Sequence, residues 1–276
     1  MPSITSSTLP APEILKADVE CFRLFEYTGH ESLSIKVSPL AVPGIVFQHK
    51  NSESAIENLT THSGVITSIP IAFIYGPGTK PSVMNYKSGP LSTVQVIFKP
   101  HALKALLGIN ASTLTDGMIE LNEFAGKDFT SQLLEAGSNQ KRVGLLTDFL
   151  IDQHQLRKTR DMLVEESLQF IHQNIASVTK KDLLDHFAIS ERQFERRFIQ
   201  TVGITPQAYI RVKRFNEAIR LMKTREFETL TDVAHALNFY DQSHFIHDLK
   251  EFSGITPKSI FQRVEDFHDQ GGFSYI

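Results

Sequence analysis

Phe194-Glu195-Arg196-Arg197-Phe198-Ile199-Gln200-Thr201-Val202-Gly203-Ile204-Thr205-Pro206 returns 51 positions later as Phe245-Ile246-His247-Asp248-Leu249-Lys250-Glu251-Phe252-Ser253-Gly254-Ile255-Thr256-Pro257. The shared frame is Phe, eight residues, then Gly-Ile-Thr-Pro. A short helix signal precedes each copy, Lys180–Phe187 and Leu230–Leu237, and a tight turn with a polar cap follows it, at Ser190 and at Asp241. Ser190 with Gln193 three residues on is a capping-box pattern. A second helix then runs to Gly203 or Gly254, where glycine stops it. Short helix, tight turn and second helix is the layout of a helix-turn-helix unit. Two copies are much harder to obtain by accident than one.

The apolar spacing assigns the faces. On Glu191–Thr201, Phe194 and Phe198 stand four apart, on the side expected to pack on Leu183, Leu184 and Phe187. Arg192, Glu195, Arg196 and Ile199 stand opposite. In the second copy Phe245 and Leu249 face Val233, Ala234 and Leu237, which leaves Gln242, Ser243, Ile246, His247 and Lys250 outward. The first free face is cationic, with guanidinium forks suited to guanine edges and phosphates. The second is mostly small and polar, suited to bases, thymine methyls or the sugar-phosphate chain.

Pro206–Met222 joins the copies. Pro206 fits a first helical position, and a helix of that length reaches about 25 Å at ~1.5 Å per residue. Two readers set beyond its ends would stand about one DNA turn apart, ~34 Å. From Lys180 to Arg263 there are 14 basic and 11 acidic residues, a net of +3, whereas the whole chain carries −3. The positive charge gathers in Arg192, Arg196 and Arg197, then Arg211, Lys213, Arg214, Arg220, Lys223 and Arg225.

Outward from the repeat, the 276 residues are 41% hydrophobic and 21% charged. At roughly 150 residues per domain this suggests about two domains. No apolar run approaches the ~18 residues of a spanning helix, so a membrane protein is not expected. Met1 to Pro12 lacks the basic and apolar regions of a signal peptide. The one cysteine, Cys21, leaves no internal disulfide, and a reducing, cytoplasmic setting is expected. Residues 1–20 read as an irregular lead-in. From Leu33 to Pro100, short apolar runs (Leu33–Val37, Ile45–Phe47, Val65–Ile69, Ile71–Tyr75, Val94–Phe98) are cut by Gly and Pro, which suggests a β-sandwich or barrel. Helical patterns follow at 101–107, 128–136, 139–153 and 160–174. These helices either cover the β core or pair with a second subunit. Polar and charged residues crowd together from Asp152 to Asp161, which places a boundary near 153–162 after a front domain at 1–155.

Over residues 163–263 the sequence resembles the DNA-binding domain of the AraC/XylS family of bacterial transcription regulators. The resemblance rests on Ile189-Ser190-Glu191-Arg192-Gln193-Phe194-Glu195-Arg196-Arg197-Phe198, both Gly-Ile-Thr-Pro corners, Tyr209, Arg214, Ala218, Asp232-Val233-Ala234 and Asn238-Phe239-Tyr240-Asp241-Gln242-Ser243-His244-Phe245. It implies that Arg192, Glu195 and Arg196 face bases from one recognition helix, and Gln242, Ser243, Ile246 and His247 from the other. Ser190 and Lys250 match places near phosphates. Arg214 would hold the two units together by a salt bridge. His247 stands where the family usually has Arg, Leu249 where it has Phe, and Asn238 where the turn has Gly. Asn tolerates the left-handed conformation, so that turn is expected to survive.

Phe98-Lys99-Pro100-His101-Ala102-Leu103 and Leu121-Asn122-Glu123-Phe124-Ala125-Gly126 resemble, more weakly, a degenerate cupin-like front end, a barrel able to enclose one small ligand. The fold implied is α+β: a β-barrel or cupin-like N-terminal domain with helices, then an all-α double helix-turn-helix. The partners implied are promoter DNA, RNA polymerase, a second copy of the chain and a small effector whose binding residues the sequence does not name. No cofactor, metal ligand or catalytic residue is implied.

A competing reading is a cupin-type metal-dependent enzyme fused to a DNA-binding module. That chemistry wants a cluster such as two His and a carboxylate, and His30, His49, His62 and His101 are scattered without a His-x-His pair. A methyl-acceptor repair regulator of the Ada type shares the DNA-binding module but needs several front-end cysteines.

Overall fold

The computed structural model describes residues 4–156, 160–224, 226–227, 229–239, 242–262 and 274–275. The front part runs β1 (Ile4–Pro10), β2 (Val19–Tyr27), β3 (Leu33–Val37), β4 (Gly44–His49), β5 (Ile56–Thr61), β6 (Gly64–Ile66), β7 (Ala72–Tyr75), β8 (Ser82–Tyr86), β9 (Leu91–Phe98), α1 (Ala102–Leu107), β10 (Met118–Glu120), α2 (Asn122–Ala125), α3 (Phe129–Glu135) and α4 (Asn139–Leu156). The helical part runs α5 (Met162–Gln173), α6 (Lys180–Phe187), α7 (Glu191–Val202), α8 (Pro206–Thr224), α9 (Leu230–Ala236), α10 (Gln242–Ser253) and α11 (Pro257–Gln262). A two-residue strand, β11 (Ser274–Tyr275), follows.

The strands form two antiparallel sheets, ordered β1-β2-β9-β4-β7-β10 and β11-β3-β8-β5-β6. The expected barrel is therefore an open one, two facing sheets of cupin-like jelly-roll character rather than a closed cylinder. Strand alternation divides the first sheet between two cores. Phe22, Phe47, Ile74, Val94 and Val96 pack with Leu106, Leu133, Leu146 and Leu150 of the covering helices. On the other face Val46 and Phe73 meet Ile35, Ile56 and Tyr86 of the second sheet. Between the sheets lies a cavity of about 510 Å³.

Residues 1–20 were expected to be irregular, yet β1 pairs with β2 along its whole length, from Ile4↔Tyr27 to Pro10↔Cys21. All seven β1 residues are exposed, so its ladder is held by backbone bonds and leaves no apolar alternation to read.

The helical part has its own core, built on Phe194, Phe198, Tyr209, Phe215, Phe245 and Leu249. It seats on the front part at both Gly-Ile-Thr-Pro corners. Thr115 Oγ1 donates to the Gly203 carbonyl at 2.6 Å, and Lys36 Nζ to the Gly254 carbonyl at 3.2 Å. Gly203 sits at φ 95°, and a Cβ there would lie 2.6 Å from Pro77 Cγ and 2.9 Å from the Ala111 carbonyl oxygen. Lys80 pairs with Glu251 of α10. A further ionic link is buried. Fully buried Asp18 lies 3.1 Å from both His101 Nε2 and Arg160 Nη1, and Arg160 also grips Glu165 of α5 at 2.7 Å.

Candidate nucleic-acid interface

Each reader begins with a reciprocal cap. Thr179 accepts from the Asp182 N–H while Asp182 accepts from the Thr179 N–H, and Thr229 with Asp232 repeats the arrangement. These two boxes satisfy orphan donors at the first helix of each unit. They differ from the box expected at Ser190, which takes the extended N-cap backbone conformation but makes no side-chain cap bond. The Thr-x-x-Asp pair recurs 50 residues apart and was the signal available in the sequence. The turns then pass through a left-handed residue in both copies, Ala188 at φ 47° and Asn238 at φ 55°. Asn238 meets the expectation drawn from its side chain. Asp241, expected as the second polar cap, lies outside the described residues, as do Tyr240, Arg225 and Arg263.

Phe194, Phe198, Phe245 and Leu249 are buried, in one core with Leu183, Val233 and Ala234 of the preceding helices and with Leu237. This packing turns the opposite faces to solvent. Arg192 and Arg196 are exposed, and among the described residues no ion pair or hydrogen bond engages either guanidinium. Glu195 is half-buried and accepts from Lys180 Nζ at 3.1 Å, and Lys180 also reaches Glu191 at 2.5 Å. Lys180 thus ties α6 to α7 beside the candidate reading face, a role the sequence reading missed. Ser190 is exposed at the N-terminus of α7. Arg197 turns back from this face and clasps Asp161 through Nε at 2.9 Å and Nη2 at 2.5 Å. Burial pushes the Asp161 carboxyl up, but the Arg197 bond and the Val164 N–H bring it below the usual carboxylate range.

On α10, Ser243, His247 and Lys250 are exposed, and Ile246 stays 38% exposed although it is apolar. Gln242 opens the helix, and its side chain lies outside the described residues. The inward neighbour Asp248 is buried and takes Arg211 Nη2 at 2.5 Å, which also reaches Glu251 at 2.7 Å. The Arg211 guanidinium lies 5.2 Å from the centre of the Phe252 ring. His247, Asp248 and Glu251 are close enough to hold a cation, but both carboxylates already answer Arg211 and Lys80.

The two units are joined by α8, whose 19 residues span about 28 Å at ~1.5 Å each. Tyr209, Ile210, Phe215, Ala218 and Ile219 bury its inner side. Arg214 ties α8 to the α5–α6 connection through carbonyls, in place of the expected salt bridge between the two units. Its Nε donates to Ile175 O at 2.9 Å and its Nη2 to Val178 O at 2.7 Å.

The front-end histidines are held apart. His101 is bound to Asp18, His49 lies 3.1 Å from Arg142 Nη2, His62 neighbours Ser63, and His30 is exposed. None of the four belongs to a metal-holding group among the described residues.

Residues 183–263 match a family model described as a helix-turn-helix domain, and residues 7–120 match a domain of unknown function, DUF6597. The chain is similar to the HTH-type transcriptional activator RhaS of Pectobacterium carotovorum (strain PC1), 33% identical over 78 residues, 28% of each protein. RhaS of Escherichia coli (strain K12 / DH10B) is 31% identical over 83 residues, 30% of each. The match thus spans less than a third of either activator. The structure of ToxT from Vibrio cholerae O395 superposes with a TM-score of 0.48 at 14% identity, covering 88% of this chain and 98% of ToxT. No helix among the described residues is long and apolar enough to cross a membrane. With its duplicated unit and its two Gly-Ile-Thr-Pro corners, the segment 183–263 is a helix-turn-helix domain similar to that of these activators.

Proposed function

We propose that the chain is a sequence-specific DNA-binding transcription regulator whose front part senses a small effector or pairs two copies. The observation that carries this reading is the pairing of two capped helix-turn-helix units on one rigid α8. Each presents an outward face of contact-capable side chains, Arg192 and Arg196 on one and Ser243, Ile246, His247 and Lys250 on the other. Recognition helices read base edges with their N-terminal residues. Here the C-terminal corners of both helices are docked on the front part, which leaves the N-terminal halves free to enter a groove. Glu195 approaches a cytosine amino group once Lys180 turns to a phosphate, and Ser190 and Lys250 sit where phosphates would pass. Contact with RNA polymerase and self-association belong to the same proposal.

The test is selection of a binding site from random duplex DNA, followed by affinity measurement at several salt concentrations. Tight binding whose logarithm falls linearly with log salt supports the reading. Affinity no better for selected than for random duplex overturns it.

A further inference from the structure

The cavity between the two sheets holds one charged side chain deep among apolar ones. Arg23 stands on β2 in a cross-strand row with Gln95, Val46 and Phe73. Phe25, Ile35, Phe73, Tyr75, Met84 and Tyr86 supply much of the surrounding wall. Arg23 Nη1 donates to Gln95 Oε1 at 3.3 Å. Its Nε and Nη2 are buried and have no hydrogen-bond partner among the described residues. Among the described residues no carboxylate forms an ion pair with it. The other charged groups around the cavity are Lys80, Asp116 and Lys223. Lys80 is paired with Glu251, and both Asp116 oxygens are held by Thr79, at 2.7 Å from its N–H and 2.5 Å from its hydroxyl.

The Nε–Nη2 edge is the one that takes a carboxylate elsewhere in this chain. Arg160 offers it to Glu165 at 3.0 and 2.7 Å, Arg197 to Asp161 at 2.9 and 2.5 Å, and Arg220 to Glu217 at 2.8 and 2.6 Å. This two-bond match of guanidinium to carboxylate is strong and directional. A buried guanidinium without a partner is costly, and an apolar residue of similar volume would fill the position at less cost. The volume, about 510 Å³, falls within the ~300–1,000 Å³ of small-molecule sites.

We propose that this cavity binds a small organic carboxylate with an apolar body, its two oxygens on the Nε–Nη2 edge of Arg23 and its body among Phe25, Phe73, Tyr86 and Met84. The proposal rests on the reading that the front part takes an effector, and it names the effector's chemical class and its anchor. Gln95 fixes the guanidinium through Nη1 and keeps the free edge turned to the ligand.

Calorimetric titration of the full chain with octanoate and phenylbutyrate, against their neutral primary amides, tests it. Hydrogen bonds to a charged group predict that the acids bind about 10–100-fold more tightly than the amides. Arg23→Met should reduce acid binding to the amide level and leave amide binding unchanged. The acid-to-amide ratio of the unaltered chain is the readout that does not depend on the variant folding. Equal binding of acid and amide overturns the carboxylate class while leaving an effector site in place. Saturation by none of the four probes, or an acid preference that survives Arg23→Met, overturns the proposal. Affinity for selected duplex DNA, measured separately, decides the regulator reading whatever these titrations show.

Discussion

Ala188 and Asn238 occupy equivalent left-handed positions in the two turns, and only one of them suits the conformation. An alanine there sets its Cβ against the neighbouring carbonyl, whereas glycine does not. Ala188→Gly is therefore expected to stabilise the chain by about 1 kcal/mol, seen as a higher urea midpoint with an unchanged slope. A lower midpoint would contradict the turn geometry. On the reading face, Arg196→Ala should cost about 1–3 kcal/mol at a selected site and relax base preference under that helix. Lys250→Ala should weaken all sequences alike and reduce the salt slope by about 1. Unchanged affinity for Arg196→Ala would remove that side chain from the interface. At this scale the sequence was legible where a residue type has one conformational use, as at Asn238 and the two helix-ending glycines. It misled at Ser190, because a cap side chain bonds only if its rotamer meets the N–H of the first turn. It was silent on Arg197 and Lys180, since a charge pattern does not say whether a cation faces solvent or a neighbouring acid.

Among the elements, the helices of the two readers follow from apolar spacing at three and four, because each must bury one stripe. The strands were harder to read. β3, β4, β7 and β9 carry apolar runs and were visible, whereas β1 is exposed throughout. β2 mixes both faces, with Phe22 on one core and Arg23 in the cavity. β8 is half-buried along most of its length, and β5 mixes buried, half-buried and exposed residues without clean alternation. The candidate reading faces could be placed because helical period alone decides them. Arg23 could not, since its significance lies in a cross-strand neighbour 72 residues away. The reciprocal caps make an element-scale prediction. Thr229→Ala removes the bond to the Asp232 N–H and should cost about 1 kcal/mol. Hydrogen exchange should show the first turn of α9 opening more often while α6 keeps its protection. Equal protection of α9 in both proteins would show that the cap does not hold that helix.

For the whole molecule, the link between front and helical parts is partly ionic and therefore pH-dependent. Burial pushes the Asp18 carboxyl up, but hydrogen bonds and charge from His101 and Arg160 outweigh it and hold the group below its ordinary value. His154 Nδ1 lies 3.5 Å away on the same side, and Glu165 faces Arg160. The unfolded chain, with Asp near ~3.9, takes up the proton first as pH falls. The stabilisation is thus fully present above that value and is lost as pH drops through the folded pKa. Asp18→Asn should cost about 3 kcal/mol at neutral pH, with its urea midpoint approaching that of the unaltered chain in acid. Midpoints separated by a constant gap down to acid pH would show that the carboxylate charge is not what holds this junction. At the same scale, on the proposed function the two docked corners and the length of α8 set how the two units would meet a duplex, and hydroxyl-radical footprinting of the full chain on its selected site tests that arrangement most directly. Two protected patches on one face of the DNA, with centres about 10–11 base pairs apart, are the result expected of a tandem reader on a rigid rod. A single patch, or two on opposite faces of the duplex, would contradict it.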